Sequence, residues 1–277
     1  EAALRLAPKN PEAYVHRAAV RLALRQFAAS LEDCELALRL DTATASAHLQ
    51  RGDALQALGQ PEAAIKSYAR SIRLAEDPKA YARNAEANEQ LGRFAQALED
   101  YTRADGLSPQ NVGPLTSRAV LRLAMADSAG ALADFSQALR RNPRYLNAYV
   151  YRGQIFDGMR QDEAALADFA AALRLDSTLA FAYFARGAFY YARRQWAPAE
   201  ADFAAALRHN PETPSAWNNR ANLRLRRSDV PAALADYEQA LRLSPDDADF
   251  LSNYGFALRM AGRNREAQRA FQRALAQ

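Results

Sequence analysis

Residues 181–203 read FAYFARGAFYYARRQWAPAEADF. The first half is rich in aromatic residues around a single glycine, Gly187; the second half carries Ala199 four residues before Phe203. Residues four apart lie on one face of a helix, so a small residue and a ring share a stripe there. The same pairing recurs at Ser30/Cys34, Ala64/Tyr68, Ala97/Tyr101, Ala131/Phe135, Ala165/Phe169, Ala233/Tyr237 and Ala267/Phe271, spaced by 33 residues once and by 34 otherwise. A period of that size marks a tandem architecture, in which each unit buries its apolar face against its neighbours.

Eight units follow from this register: 11–44, 45–77, 78–111, 112–145, 146–179, 180–213, 214–247 and 248–277, with residues 1–10 reading as the tail of a further unit upstream, cut from a longer chain. With the places of each unit numbered from 1, place 8 is always small (Ala18, Gly52, Ala85, Ala119, Gly153, Gly187, Ala221, Gly255), place 20 is Ser or Ala, and place 27 is Ala or Ser. Place 4 is mostly large: Tyr14, Tyr81, Tyr149, Tyr183, Trp217. Pro109, Pro143, Pro211 and Pro245 stand at place 32, and Pro8 fits the same place in the truncated unit. Two antiparallel helices approach closely only where small residues face each other. Places 8 and 20 supply that contact within a unit and place 27 supplies it against the next, with rings filling the space around them. Proline near place 32 ends the second helix, whereas Pro61, Pro198 and Pro231 sit in first turns, where a missing N–H costs little. The expected unit is helix A over places 2–14, a short turn, and helix B over places 17–30.

This pattern resembles the tetratricopeptide repeat, over the whole of residues 1–277. The resemblance implies an all-α fold, a right-handed superhelical solenoid of antiparallel helix hairpins with a concave groove lined by helix A. It also implies a non-catalytic role in binding other proteins.

One recurrent feature departs from the family, which usually has an aliphatic residue at place 7. Here that place is Arg17, Arg51, Arg118, Arg152, Arg186 and Arg220, while place 23 is Asp33, Asp100, Asp134, Asp168, Asp202 and Asp236. The exceptions, Asn84 and Ser67, fall together if helix B of one unit pairs with helix A of the next. The expectation is therefore a ladder between units: Arg51–Asp33, Arg118–Asp100, Arg152–Asp134, Arg186–Asp168 and Arg220–Asp202. The missing rung coincides with a one-residue deletion at 75–78, and Asp105-Gly106 replaces the Leu-Arg of other units, so altered stacking is expected around 75–111.

Composition limits the chemistry. The chain has 36 basic and 32 acidic residues, a net charge of +4, which is too small and too spread an excess to argue for nucleic acid. The lone Cys34 permits no internal disulfide, and no apolar run is long enough to span a bilayer. His16, His48 and His209 are scattered and match no zinc spacing; no phosphate-binding loop or nucleophile motif occurs. No enzyme activity, metal or cofactor is expected. The Asp246–Asp249 cluster reads as a helix cap.

The candidate site is the groove, which the resemblance assigns to helix A places 2, 5, 6, 9, 12 and 13. Lys79 and Arg83 occupy the places where some family members hold a C-terminal carboxylate, but Val15, Ala19 and Gln50 replace the rest of that clamp. Tyr151, Phe181, Phe184 and Tyr191 put aromatic rings on groove places; exposed apolar surface of that kind marks a partner site. Asn219 and Asn253 occupy place 6 in consecutive units, with Asn218 and Asn222 beside them, and amides both donate to and accept from a peptide backbone. Arg224, Arg226, Arg227, Arg259 and Arg263 lie nearby. A protein or peptide partner held by these residues is the first expectation. A self-associating scaffold or spacer within a larger assembly is the second, and single-stranded RNA is the third.

Overall fold

A computed structural model of the chain describes residues 9–277; the upstream tail with Pro8 lies outside the described residues. Among the described residues there are sixteen helices and no strand. Packing divides the chain into two compact units, one ending at Pro143 and one beginning at Arg144. The first unit holds four hairpins: α1 (Pro11–Ala23) with α2 (Phe27–Leu40), α3 (Ala45–Ala57) with α4 (Pro61–Leu74), α5 (Pro78–Gln90) with α6 (Phe94–Leu107), and α7 (Gly113–Ala124) with α8 (Ser128–Arg141). The second holds four more: α9 (Leu146–Gly158) with α10 (Asp162–Leu175), α11 (Ala180–Ala192) with α12 (Trp196–His209), α13 (Pro214–Arg226) with α14 (Val230–Leu243), and α15 (Ala248–Met260) with α16 (Asn264–Leu275). In seven of the eight hairpins helix A thus begins one place earlier than the periodicity suggests.

The helix ends have local causes. Asn10, Asp77 and Asp247 cap A helices through their side-chain oxygens, and Asp127 and Asp229 cap B helices. Every turn from A to B has one residue in the left-handed region, always at place 15. It is glycine at Gly59, Gly92 and Gly262, but Arg25, Ala126, Arg160, Arg194 or Ser228 elsewhere. The N–H that follows bonds back across the turn, as from Gln195 to the Tyr190 carbonyl at 2.9 Å. That closing bond offsets the left-handed cost of the five non-glycine residues.

Within a hairpin the small residues meet as expected. Ala18, Ala64, Ala97, Ala131, Ala165, Ala199 and Ala233 have no exposed surface, and the Ser30 hydroxyl donates to the Ala18 carbonyl at 2.8 Å. The place-24 rings Tyr68, Phe135, Phe169, Phe203 and Tyr237 are fully buried against them. Cys34 takes that place in the first hairpin, and burial pushes its thiol up to about 12. Place 27 joins neighbours: Ala37 clusters with Ala47 of the next hairpin, and Ala172 with Ala182.

The expected ladder between units is corrected. Each Arg pairs inside its own hairpin, sixteen residues on: Arg17 with Asp33, Arg118 with Asp134, Arg152 with Asp168, Arg186 with Asp202, Arg220 with Asp236. The two mismatches are filled by hydrogen bonds, Arg51 to the Ser67 hydroxyl at 3.0 Å and the Asn84 amide to Asp100 at 2.7 Å. Serine and asparagine are themselves polar partners, so these were substitutions within a pair and not losses. A second arginine at place 11 joins three of the sites: Arg21, Arg122 and Arg224 share Oδ2 of Asp33, Asp134 and Asp236 with the first arginine, at 3.0, 2.8 and 2.9 Å. Each also donates to a carbonyl in the first turn of helix B. In the third hairpin Asn84 and Asn88 stand at both arginine places and both donate to Asp100.

Nor does Asp105-Gly106 shorten α6, which runs on to Leu107. Asp105 is buried and paired with Arg141 of α8. The irregularity falls one step later, at α7, which starts a residue late at Gly113 behind a helical Val112.

Candidate functional site

Among the described residues, each unit has a cavity along its A helices. In the second unit a cavity of about 450 Å³ is lined by Tyr191 of α11, Asn222, Leu225 and Arg226 of α13, Tyr237 of α14, and Asn253, Phe256 and Met260 of α15. These residues come together because consecutive A helices stack side by side and present the same places: Asn222 and Phe256 are one repeat apart, as are Arg226 and Met260. Phe256 and Met260 are 44% and 47% exposed, large apolar groups left open to solvent. The Tyr237 hydroxyl donates to the Asn222 side-chain oxygen, which leaves that amide's N–H groups for an acceptor. No carboxylate lines the cavity.

The cationic edge is built by stacking. The Arg226 guanidinium lies 4.1 Å from the centre of the Trp196 ring, and that of Arg259 lies 5.0 Å from the Phe256 ring. The ring face holds the planar cation while its N–H edge stays available.

Of the residues singled out in the sequence, Tyr191, Asn222 and Asn253 line this cavity. The structure separates the others from it. Asn218 is buried; it accepts from the Asn253 amide at 3.1 Å and its own amide lies 3.4 Å from the Asn219 oxygen. The amide contact between consecutive repeats therefore joins Asn253 to Asn218, not to Asn219. Tyr151, Phe181, Phe184 and Tyr191 are all half-buried. Tyr151 packs edge-on against Phe181 at 5.3 Å, Phe184 tilts against Phe203 at 5.9 Å, and Tyr191 meets Trp196 at 5.5 Å. Tyr151 and Phe181 thus join neighbouring hairpins, while Phe184 and Tyr191 pack on helix B of their own hairpin. Phe256 and Met260 were missed, although they stand at groove places 9 and 13 of the last unit. Their signal was present, but the denser aromatic run upstream drew the reading.

Lys79 and Arg83 line a different cavity, of about 600 Å³, in the first unit, together with Gln50, Asp53, Glu86 and Ser117. Its charge is mixed. Arg83 bonds Glu86 at 2.7 Å and lies 3.6 Å from Asp53, so its cation is already matched. Asp53 accepts from the Tyr68 hydroxyl at 2.9 Å, and burial raises its carboxyl above the ordinary range. Val15 is buried, which removes the first position of the clamp suggested by Lys79 and Arg83. Among the described residues no three His, Cys, Asp or Glu side chains are grouped to hold a metal, and no helix is long and apolar enough to cross a membrane.

Comparison with known proteins places the repeat. The tetratricopeptide repeat model matches residues 49–112, 116–180 and 184–248, and a second model of that description matches 236–269. The chain is 33% identical over 101 residues to human DnaJ homolog subfamily C member 7, covering 36% of this chain and 19% of that protein. It is 32% identical over 117 residues to rat RNA polymerase II-associated protein 3, covering 42% of this chain and 16% of that protein. It therefore spans less than a fifth of either relative. Among solved structures, a tetratricopeptide repeat protein from Parabacteroides merdae aligns with a TM-score of 0.67 at 20% identity, over 84% of this chain and 92% of that one. YrrB, a TPR protein with an unusual peptide-binding site, aligns at 0.54 and 17% identity over 66% of this chain and 95% of that one. With matches over well more than half its length and the hairpins described above, this chain belongs to the tetratricopeptide repeat family.

Proposed function

We propose that the chain is a non-catalytic interaction module that holds a segment of a partner protein against the A helices of residues 144–277. The observation that carries this reading is the second-unit cavity, where exposed Phe256 and Met260 stand beside the donor amides of Asn222 and Asn253. Apolar side chains of a segment would seat on the first pair, and its backbone carbonyls would meet the second. YrrB shows that the same fold serves peptide binding elsewhere; at its level of identity it supports the fold alone, so the proposal rests on the cavity.

The test is selection of displayed random peptides on the folded chain, followed by affinity measurement of the enriched sequences against the Phe256→Ala/Met260→Ala variant. The expected result is binding that falls at least about tenfold in the variant. Enriched peptides that bind both proteins equally would remove this site from the reading.

Self-association has one observation in its favour: α16 presents Leu275, 88% exposed, beside Phe271 on a face with a cavity of about 400 Å³. A concentration-dependent mass in light scattering, abolished by Leu275→Glu, would support it.

A further inference from the structure

We propose that the segment seated in the second-unit cavity is acidic, with carboxylates flanking an apolar anchor. This rests on the interaction-module reading above and names the chemistry of its partner. Five arginines stand near the cavity in the sequence, and the structure sorts them. Arg224 is tied to Asp236 at 2.9 Å, Arg227 to Glu200 at 2.6 Å, and Arg263 to Glu266 at 2.7 Å. Arg227 and Arg263 are each matched by a carboxylate of their own, and Arg224 is held, with Arg220, on the buried Asp236 and on the Ala232 carbonyl. Arg226 and Arg259 are exposed and, among the described residues, meet no carboxylate. Both are instead held by ring faces, over Trp196 and Phe256.

The acids close by are committed. Glu200 and Glu266 hold Arg227 and Arg263, Glu238 accepts from the Tyr254 hydroxyl at 3.0 Å, and Asp229 caps α14. An apolar floor with the unmatched Arg226 guanidinium in its lining, the unmatched Arg259 stacked on its Phe256 ring, and no lining carboxylate is therefore complementary to an apolar side chain with carboxylates beside it. Stacking also restricts both arginines before binding, which lowers the entropy lost when a carboxylate is gripped. The same charge could attract RNA, but base stacking needs an open ring face. Here one face of Trp196 and one face of Phe256 carry an arginine, the Tyr237 ring is fully buried, and Tyr191 packs against Trp196 and Phe203.

The experiment uses the whole chain and fluorescein-labelled probes read by anisotropy: short peptides with Phe and Leu anchors spaced by glutamate, glutamine or lysine, and an oligouridine. The expected result is a glutamate peptide bound about tenfold more tightly than its glutamine counterpart, an advantage that shrinks with added salt. In Arg226→Gln/Arg259→Gln the ratio of glutamate-peptide to glutamine-peptide affinity falls to about one; Arg226→Lys/Arg259→Lys keeps part of the preference, because the charge remains without the planar fork. Equal binding of the glutamate and glutamine peptides, both dependent on Phe256 and Met260, would overturn the acidic partner and leave the interaction module standing. Preference for lysine or for oligouridine would also overturn it. Failure of every probe to bind the folded chain would overturn both readings.

Discussion

Arg186 and Asp202 form a two-pronged ion pair inside one hairpin, with Nε to Oδ2 at 2.7 Å and Nη2 to Oδ1 at 2.8 Å. The Tyr183 ring centre lies 5.7 Å from the same guanidinium. Three places of the unit (4, 7 and 23) therefore act as one device, repeated at Tyr149/Arg152/Asp168 and Trp217/Arg220/Asp236. With Asp202 8% exposed in its side chain and Arg186 25%, the pair is more than a surface contact. It fixes how helix A lies on helix B, because a slip by one residue would strand a buried carboxylate.

Removal of either partner alone, Arg186→Ala or Asp202→Ala, is expected to lower stability by about 3 kcal/mol, since a charge is left buried without its mate. A double-mutant cycle by denaturant unfolding should return a coupling of about 1–2 kcal/mol for Arg186 with Asp202 and near zero for Arg186 with Asp168. The reverse assignment would restore the ladder between units.

The third hairpin supplies a pH test. Burial raises the Asp100 carboxyl above its ordinary range, and the Asn84 and Asn88 amides only partly oppose this. A carboxyl whose folded pKa exceeds its unfolded one contributes stability that is fully present below the unfolded pKa and lost as pH rises through the folded pKa. For this group, weak acid therefore favours folding over neutral pH. Asn84→Arg supplies the guanidinium that faces an aspartate in five other hairpins and is expected to add about 1 kcal/mol at neutral pH. That gain should vanish once acid protonates the carboxylate. Unfolding midpoints at neutral and weakly acidic pH, with the Asp100 side chain followed by NMR, would check both parts; a gain unchanged in acid would refute the account.

Aromatic truncations should separate stability from binding. Phe184 packs against the buried cluster of Ala199, Phe203 and Leu223, so Phe184→Ala is expected to cost about 3 kcal/mol. Phe256→Ala/Met260→Ala removes half-exposed groups and should stay within about 1 kcal/mol of the parent. Thermal unfolding of the two variants reads the difference directly. A large loss in the second would show that Phe256 and Met260 are structural.

Two glycines are expected to respond in opposite directions. A Cβ at Gly52 would stand 2.3 Å from a ring carbon of Tyr68, which is fully buried and anchored by Asp53. Gly52→Ala should therefore destabilise by about 1–3 kcal/mol through overpacking, despite its better helix propensity. At Gly106, in the last turn of α6, a Cβ meets nothing within 4 Å. Gly106→Ala should stabilise by about 0.5–1 kcal/mol. Denaturant midpoints that move the same way in both would refute this contrast.

What the sequence determined by itself was whatever repeats locally. The small residues at places 8, 20 and 27, the rings at place 24 and the prolines at helix ends recur in register, and each marks a helix face or a helix end that a fixed spacing identifies. The fold class and the alternation of helix A with helix B were legible for that reason. The left-handed residue at place 15 was legible only where it is glycine, because Arg194 and Ser228 adopt that backbone under constraint from the turn's closing bonds. Pairing partners belonged to the tertiary structure. A long arginine at place 7 can reach either neighbouring B helix, and serine or asparagine can replace a charge without breaking the contact, so the pattern of exceptions pointed to the wrong helix. The same holds at the groove. Arg227 and Arg226 are adjacent in the chain, yet one is matched by Glu200 and the other rests on Trp196. Only the stacking of hairpins decides which charges are consumed inside the protein and which remain for a partner, because that stacking sets distances between residues a whole repeat apart.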